Sequence, residues 1–158
     1  PIGRLLLHLY GIDDPVALNR SDAICTALQL TNFWQDLGVD AARGRLYLTD
    51  VDARRHGIDP ADVLARRDSA ALRALVLELV AWTRERMLEG APLVHAIGGR
   101  AGWELRLVVQ GGLRVLERIE RLGGATLAAR PTLGPADAPL IAWRALAMRR
   151  PLVTALAR

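Results

Sequence analysis

Apolar positions recur at helical spacing along most of the chain, and no segment of any length alternates as a strand would. Residues 1–12 read as the end of an apolar helix (Leu5, Leu6, Leu7, Leu9) stopped at Gly11. Asp13-Asp14-Pro15 is a turn and helix-start signal. Ser21 or Asp22 is expected to cap a helix running to about Asp40, with Asp14 and Asp22 near its favourable N-terminal end. Ala41 to Thr49 reads as a loop with Gly44, in which Tyr47 occupies a brief extended segment. A short helix over Asp50 to His56, a break at Gly57-Ile58-Asp59-Pro60 and a turn over Ala61 to Arg66 follow.

Residues 69–90 predict a long amphipathic helix, with Leu72, Leu75, Val76, Leu79, Trp82 and Met87 on the expected spacing and Gly90 and Pro92 as its end. Ser69 is a helix cap in this reading. A second long helix spans 101–122, with Leu105, Val108, Val109, Leu113, Leu116 and Ile119 on one side and Gly123-Gly124 ending it. An Ala/Pro/Gly linker leads to a last helix over 137–149, with Pro151 as a stop. No internal repeat appears. The fold class is all-α, with antiparallel helices joined by short loops.

One stretch departs from simple amphipathicity. Gln29-Leu-Thr-Asn32-Phe-Trp-Gln-Asp36-Leu-Gly-Val-Asp40 sets an amide and two carboxylates at four-residue steps, which share one helix face. Gln29 lies one turn earlier on the same side. The flanking residues are apolar: Ile24, Leu28, Leu30, Phe33, Trp34, Leu37 and Val39. Carboxylates in such a setting are costly to bury unless a positive partner sits among them. A hard divalent cation, which takes oxygen ligands, is the simplest partner. Mg²⁺ takes few protein carboxylates and completes its shell with water and substrate phosphate, so the triple points to a diphosphate held through metal. The bland reading is an exposed polar stripe.

Composition narrows the classes. The chain has 158 residues, 51% apolar and 24% charged, with formal net charge +4, and suits one folded domain. Every basic residue is arginine. The arginines are scattered along amphipathic segments rather than clustered, which speaks against nucleic-acid binding. The single Cys25 excludes an internal disulfide and fits a reducing, cytoplasmic setting; it reads as a small packed hydrophobe. No apolar run is long enough to span a bilayer.

Other polar residues carry open readings. Arg43 and Arg45 are either a phosphate clamp or solvated loop charge. Tyr47 is either a phenol capping the site or a packed amphipathic ring. His8, His56 and His95 share no ligand spacing. Gly111-Gly112 lies inside a helix, at about 1 kcal/mol per glycine, which close helix approach or room for a bulky ligand would offset. Arg106, Gln110 and Arg114 sit beside these glycines as candidates to line a cavity.

The string Gln29-x-x-Asn32-x-x-x-Asp36-x-x-x-Asp40, followed by Gly44-Arg45-x-Tyr47-Leu48, resembles the second aspartate-rich motif of the squalene/phytoene synthase family. Pro1-Ile-Gly3-Arg-Leu-Leu-Leu7, Gly111-Gly112-Leu-Arg114 and Trp143-Arg144-Ala-Leu146 are similar to further helices of that family. Asn32-Phe33-Trp34-Gln35-Asp36 resembles the branch of bacterial hopanoid pathways that converts presqualene diphosphate to hydroxysqualene; squalene and phytoene synthases usually have Arg at the position of Gln35.

The resemblance implies an all-α isoprenoid (terpenoid) synthase bundle in which two acidic motifs on facing helices bind Mg²⁺ and ionise a prenyl diphosphate. By motif position Asn32, Asp36 and Asp40 would be metal ligands, with Asp36 and Asp40 catalytic. Gln29, Arg45 and Tyr47 would meet the substrate, presqualene or farnesyl diphosphate. The first aspartate-rich motif has no counterpart in this chain. Residues 1–158 are therefore expected to be the C-terminal part of a single synthase domain, incomplete without N-terminal helices and inactive alone. The alternatives are a squalene or phytoene synthase joining two prenyl diphosphates head to head, and a non-catalytic helical interaction module. Greasy substrate and product imply peripheral contact with the inner membrane face.

Overall fold

A computed structural model describes residues 2–148. Among these the chain forms eight α-helices and no strand, so the all-α expectation holds. They are α1 (Ile2–Leu9), α2 (Pro15–Gln35), α3 (Leu37–Ala41), α4 (Asp50–Arg55), α5 (Pro60–Leu64), α6 (Ala70–Gly90), α7 (Gly99–Arg121) and α8 (Ala138–Ala147). The expected stop at Pro151 lies outside the described residues.

Helix α2 is the axis of the bundle and packs on α6, α7 and α1. It begins about two turns earlier than expected. Asp14 is the N-cap and accepts from the Ala17 amide at 2.8 Å, with Pro15 at the first helical position. Ser21 is buried inside α2 rather than capping it, and Asp22 pairs with Arg4 of α1. The capping preference of Ser and Asp was outranked by the stronger Asp-Pro start. Ser69 caps α6 as expected, accepting from the Leu72 amide. Beyond Gly90 the chain does not break but tightens into a 3₁₀ turn over Ala91–His95 that includes Pro92.

Two apolar clusters hold the bundle. One joins Trp34, Leu37, Leu75, Val76, Val80, Leu116, Ile119 and Leu127; the other joins Leu7, Ile24, Ala27, Met87, Leu93, Val109 and Leu113. Burying each such large side chain contributes about 1.5–3 kcal/mol. Glycines set the closest approaches. A Cβ on Gly3 would fall 2.3 Å from Ser21 Oγ, and one on Gly90 2.7 Å from the Arg20 carbonyl, so α1 and α6 lie directly on α2.

Residues 122–134 cross the bundle as an irregular strap instead of a free linker. The strap starts at Gly123 and Gly124, both with positive φ. It ends where Asp137, 1% exposed, accepts from the Gly134 amide (2.8 Å), Arg114 Nε (2.8 Å) and Arg118 Nη2 (2.7 Å). Glu117 extends this network by accepting from Arg114 and Arg144. It locks the strap and α8 onto α7.

Candidate functional site

The expected single helix to Asp40 is bent at its centre. Asp36 leaves helical geometry (φ −98°, ψ 10°), separating α2 from α3. The ladder nonetheless continues through the bend. The Asp36 amide donates to the Asn32 carbonyl at 2.9 Å and the Asp40 amide to the Asp36 carbonyl at 2.8 Å. Asn32, Asp36 and Asp40 therefore remain one turn apart on one side of the chain. Gly38 explains the bend's surroundings. A Cβ there would lie 2.4 Å from the Leu127 carbonyl oxygen, so α3 is pressed against the strap.

The strap also reaches the bend with its side chains. Arg130 pairs with Asp36, Nε on Oδ1 and Nη2 on Oδ2 (3.3 Å). Gln35 Nε2 donates to the Pro131 carbonyl at 2.6 Å. The positive partner expected beside Asp36 is thus present as a guanidinium. Nothing in the sequence pattern singled out Arg130, which sits in a stretch of Ala, Pro and Gly. Asp40 is half-buried and its carboxylate has neither ion pair nor hydrogen bond among the described residues. Asn32 and Gln29 are exposed.

This donor set suits Mg²⁺. It consists of hard oxygens, one carboxylate lacks a protein partner, and the other is held by a half-exposed arginine that a divalent ion can displace. Among the described residues no group of three or more His, Cys, Asp or Glu could hold a metal.

Other candidates separate. The Tyr47 ring stacks on Phe33 with centroids 3.9 Å apart and planes at 5°, while remaining 41% exposed. It packs the α3–α4 loop back onto α2, the residue after Asn32. Gly44, at φ 71°, ends α3, and the Arg43 and Arg45 amides both donate to the Asp40 carbonyl at 2.9 Å. The Arg43 and Arg45 side chains are exposed. Arg114 is buried in the Asp137 network, and neither it nor Arg106 nor Gln110 lines the apolar cavity described next. His8 and His56 face Asp13 and Glu78, and His95 lies 3.4 Å from Arg106.

A cavity of about 340 Å³ opens between α1, α2 and α7. Leu6, Leu7, Ile24, Cys25, Leu28, Leu105 and Val108 line it, giving an almost wholly apolar wall. Ile24 and Leu28 occupy the same four-residue register as Asn32, Asp36 and Asp40. Along α2 the cavity-lining Ile24 and Leu28 therefore precede the polar ladder in the same register. No described helix is long and apolar enough to cross a membrane.

The sequence and the fold both have counterparts among known proteins. The family model of squalene/phytoene synthase matches residues 1–137. A phytoene synthase of Thermus thermophilus is 32% identical over 133 residues, covering 84% of this chain and 45% of that protein. A hydroxysqualene synthase of Rhodopseudomonas palustris is 28% identical over 122 residues, covering 76% and 41%. The crystal structure of squalene synthase HpnC from Alicyclobacillus acidocaldarius superposes with a TM-score of 0.74 at 35% identity, over 78% of this chain and 47% of that one. The chain spans less than half the length of these relatives.

Proposed function

The chain belongs to the squalene/phytoene synthase family, and from that premise we propose that it supplies one wall of a Mg²⁺-dependent site for ionising a prenyl diphosphate. The observation that carries the reading is the continuous row on α2 and α3. Ile24 and Leu28 line a largely apolar cavity of about 340 Å³, and Asn32, Asp36 and Asp40 follow at one-turn steps. The hydrocarbon would lie in the chamber with its diphosphate at the ladder. When bound, Mg²⁺ would draw electron density from the leaving oxygen.

The protein side of the chemistry is division of labour. Asn32, Asp36 and Asp40 would hold the ion. Arg130, released from Asp36, is positioned to hold phosphate oxygens. Gln29 and Arg45 flank the polar end, and Tyr47 steadies the loop through Phe33. The carbon–oxygen bond breaks with its electron pair leaving on diphosphate, and the chamber shields the carbocation from indiscriminate water.

Within this chemistry we read the reaction as conversion of presqualene diphosphate to hydroxysqualene. Water adds to the cation and loses a proton, so no reductant is consumed. The support is Gln35 in Asn32-Phe-Trp-Gln-Asp36, together with the hydroxysqualene synthase similarity. The 32% identity to a phytoene synthase favours the second reading, head-to-head joining of two prenyl diphosphates. The deciding experiment incubates the whole enzyme carrying this sequence with Mg²⁺ and presqualene diphosphate without nicotinamide. Hydroxysqualene is expected. Product only from paired prenyl diphosphates selects the second reading, and unchanged turnover in Asp36→Ala and Asp40→Ala removes the metal reading altogether.

A further inference from the structure

On the flank of α3 turned away from Asp36 and Asp40, the α3–α4 loop, the end of α5 and the strap enclose a second cavity of about 420 Å³. Its charged lining is Arg43, Arg66 and Arg130, and no carboxylate lines it. Arg43 and Arg66 form no ion pair among the described residues, whereas the adjacent Arg67 holds Asp62 at 2.7 Å. Thr126 also lines the cavity; it is 1% exposed and its Oγ1 is buried without a hydrogen-bond partner. Arg66 adopts φ 58° at the end of α5, a left-handed conformation normally left to glycine.

Arginines gathered around one cavity with no carboxylate in its lining repel one another. An anion with several acceptor oxygens relieves this, because it takes charge-assisted bonds from the arginines. We propose that this cavity, bounded by Arg43, Arg66, Arg130 and Thr126, binds a small phosphate-bearing anion in the absence of metal. The site goes beyond the diphosphate site described above, which requires Mg²⁺ and lies on the Asp36–Asp40 side. The two communicate through Arg130, which lines this cavity and also pairs with Asp36. An anion that draws Arg130 away leaves the Asp36 carboxylate free.

Titration calorimetry of the full chain with inorganic phosphate and inorganic diphosphate, in the presence of a chelator, tests this. Saturable binding is expected, weakened about fivefold or more in Arg66→Gln and Arg43→Gln. Arg100→Gln, at an exposed position at the other end of α7, should leave it unchanged. Arg66→Gln and Arg43→Gln should both leave the melting temperature unchanged, which separates loss of a ligand contact from loss of fold. Asp36→Asn should tighten binding by freeing Arg130. Flotation with phosphatidic-acid vesicles runs in parallel: Arg66-dependent binding to vesicles alone assigns the site to a lipid headgroup, and to free anion alone assigns a soluble ligand. Binding that needs Mg²⁺, or that Arg100→Gln weakens as much as Arg66→Gln, overturns the proposal. Failure here leaves the metal reading standing, since that reading depends on Mg²⁺ and on Asp40.

Discussion

Arg130 and Asp36, 94 positions apart in sequence, form an ion pair at the bend between α2 and α3. The pair places a cation where the metal reading puts a divalent ion. The two must compete, since one carboxylate cannot serve both fully. The Arg130 side chain is 46% exposed and that of Asp36 19%, so the pair is a partly solvated one, worth about 0–1 kcal/mol. Arg130→Gln should therefore tighten Mn²⁺ binding to the chain by up to about fivefold. Electron paramagnetic resonance titration of free Mn²⁺ reads this directly. Weaker binding in the variant would place the ion elsewhere.

Beside this bend, Trp34 is anchored by a single polar contact. Its Nε1 donates to Thr83 Oγ1 at 2.9 Å, and that hydroxyl donates onward to the Leu79 carbonyl. Both side chains are buried. Thr83→Val keeps the shape and strands the indole N–H, at a cost of about 1–3 kcal/mol. Urea denaturation should show the midpoint falling with an unchanged slope. Thr83→Ser, which restores the acceptor, should recover most of the loss.

Much of this arrangement is legible in sequence, for reasons that differ by residue. Helical periodicity exposes α6 and α7 because their apolar stripes are long and internally redundant, although Trp82 and Val108, placed on those stripes by spacing, are 47% and 44% exposed. Four-residue spacing exposes Asn32, Asp36 and Asp40, since local hydrogen bonding preserves it even through a bend. The bend itself is invisible, because Gly38 is selected by the Leu127 carbonyl in a distant segment. Arg130 is invisible for the same reason: its partner is set by where the strap lies, and the strap is placed by Asp137, Arg114 and Arg118. Arg114, read as a cavity candidate, is drawn into that buried network instead.

Gly111 and Gly112 look alike in sequence and are opposite in the structure. A Cβ on Gly111 meets nothing within 4 Å, whereas one on Gly112 would lie 2.7 Å from Met87 Cε and 3.1 Å from Leu28 Cδ2. Gly111→Ala should stabilise the chain by about 0.5–1 kcal/mol through helix propensity. Gly112→Ala gains the same propensity but crowds Leu28 and Met87, and overpacking of this kind costs about 1–3 kcal/mol. Thermal unfolding should move the two variants in opposite directions. Equal stabilisation would show that the flexible ends of Met87 and Leu28 give way to the added methyl.

The network at Asp137 makes stability depend on acid. The Gly134 amide, then Arg114, then Arg118 hold the Asp137 carboxyl far below the ordinary carboxylate range. In the unfolded chain the same group titrates near about 3.9. A depressed folded-state value means that the unfolded chain takes up the proton first as pH falls. The stabilisation from Asp137 is therefore complete above about pH 5 and is lost progressively as pH drops through about 4 and below. Asp137→Asn keeps the outline of the side chain but not its charge, and leaves Arg114 and Arg118 without their shared anion. At pH 7 its melting temperature should fall clearly below that of the parent chain. The gap should narrow as pH is lowered through about 4, because the unfolded parent then takes up a proton that the folded chain excludes. A gap independent of pH would mean that Asp137 acts through shape alone. If the network also places Arg130, the variant at pH 7 should bind Mn²⁺ more tightly, in the direction of Arg130→Gln. A loss of fold unconnected with the strap would not produce that tightening.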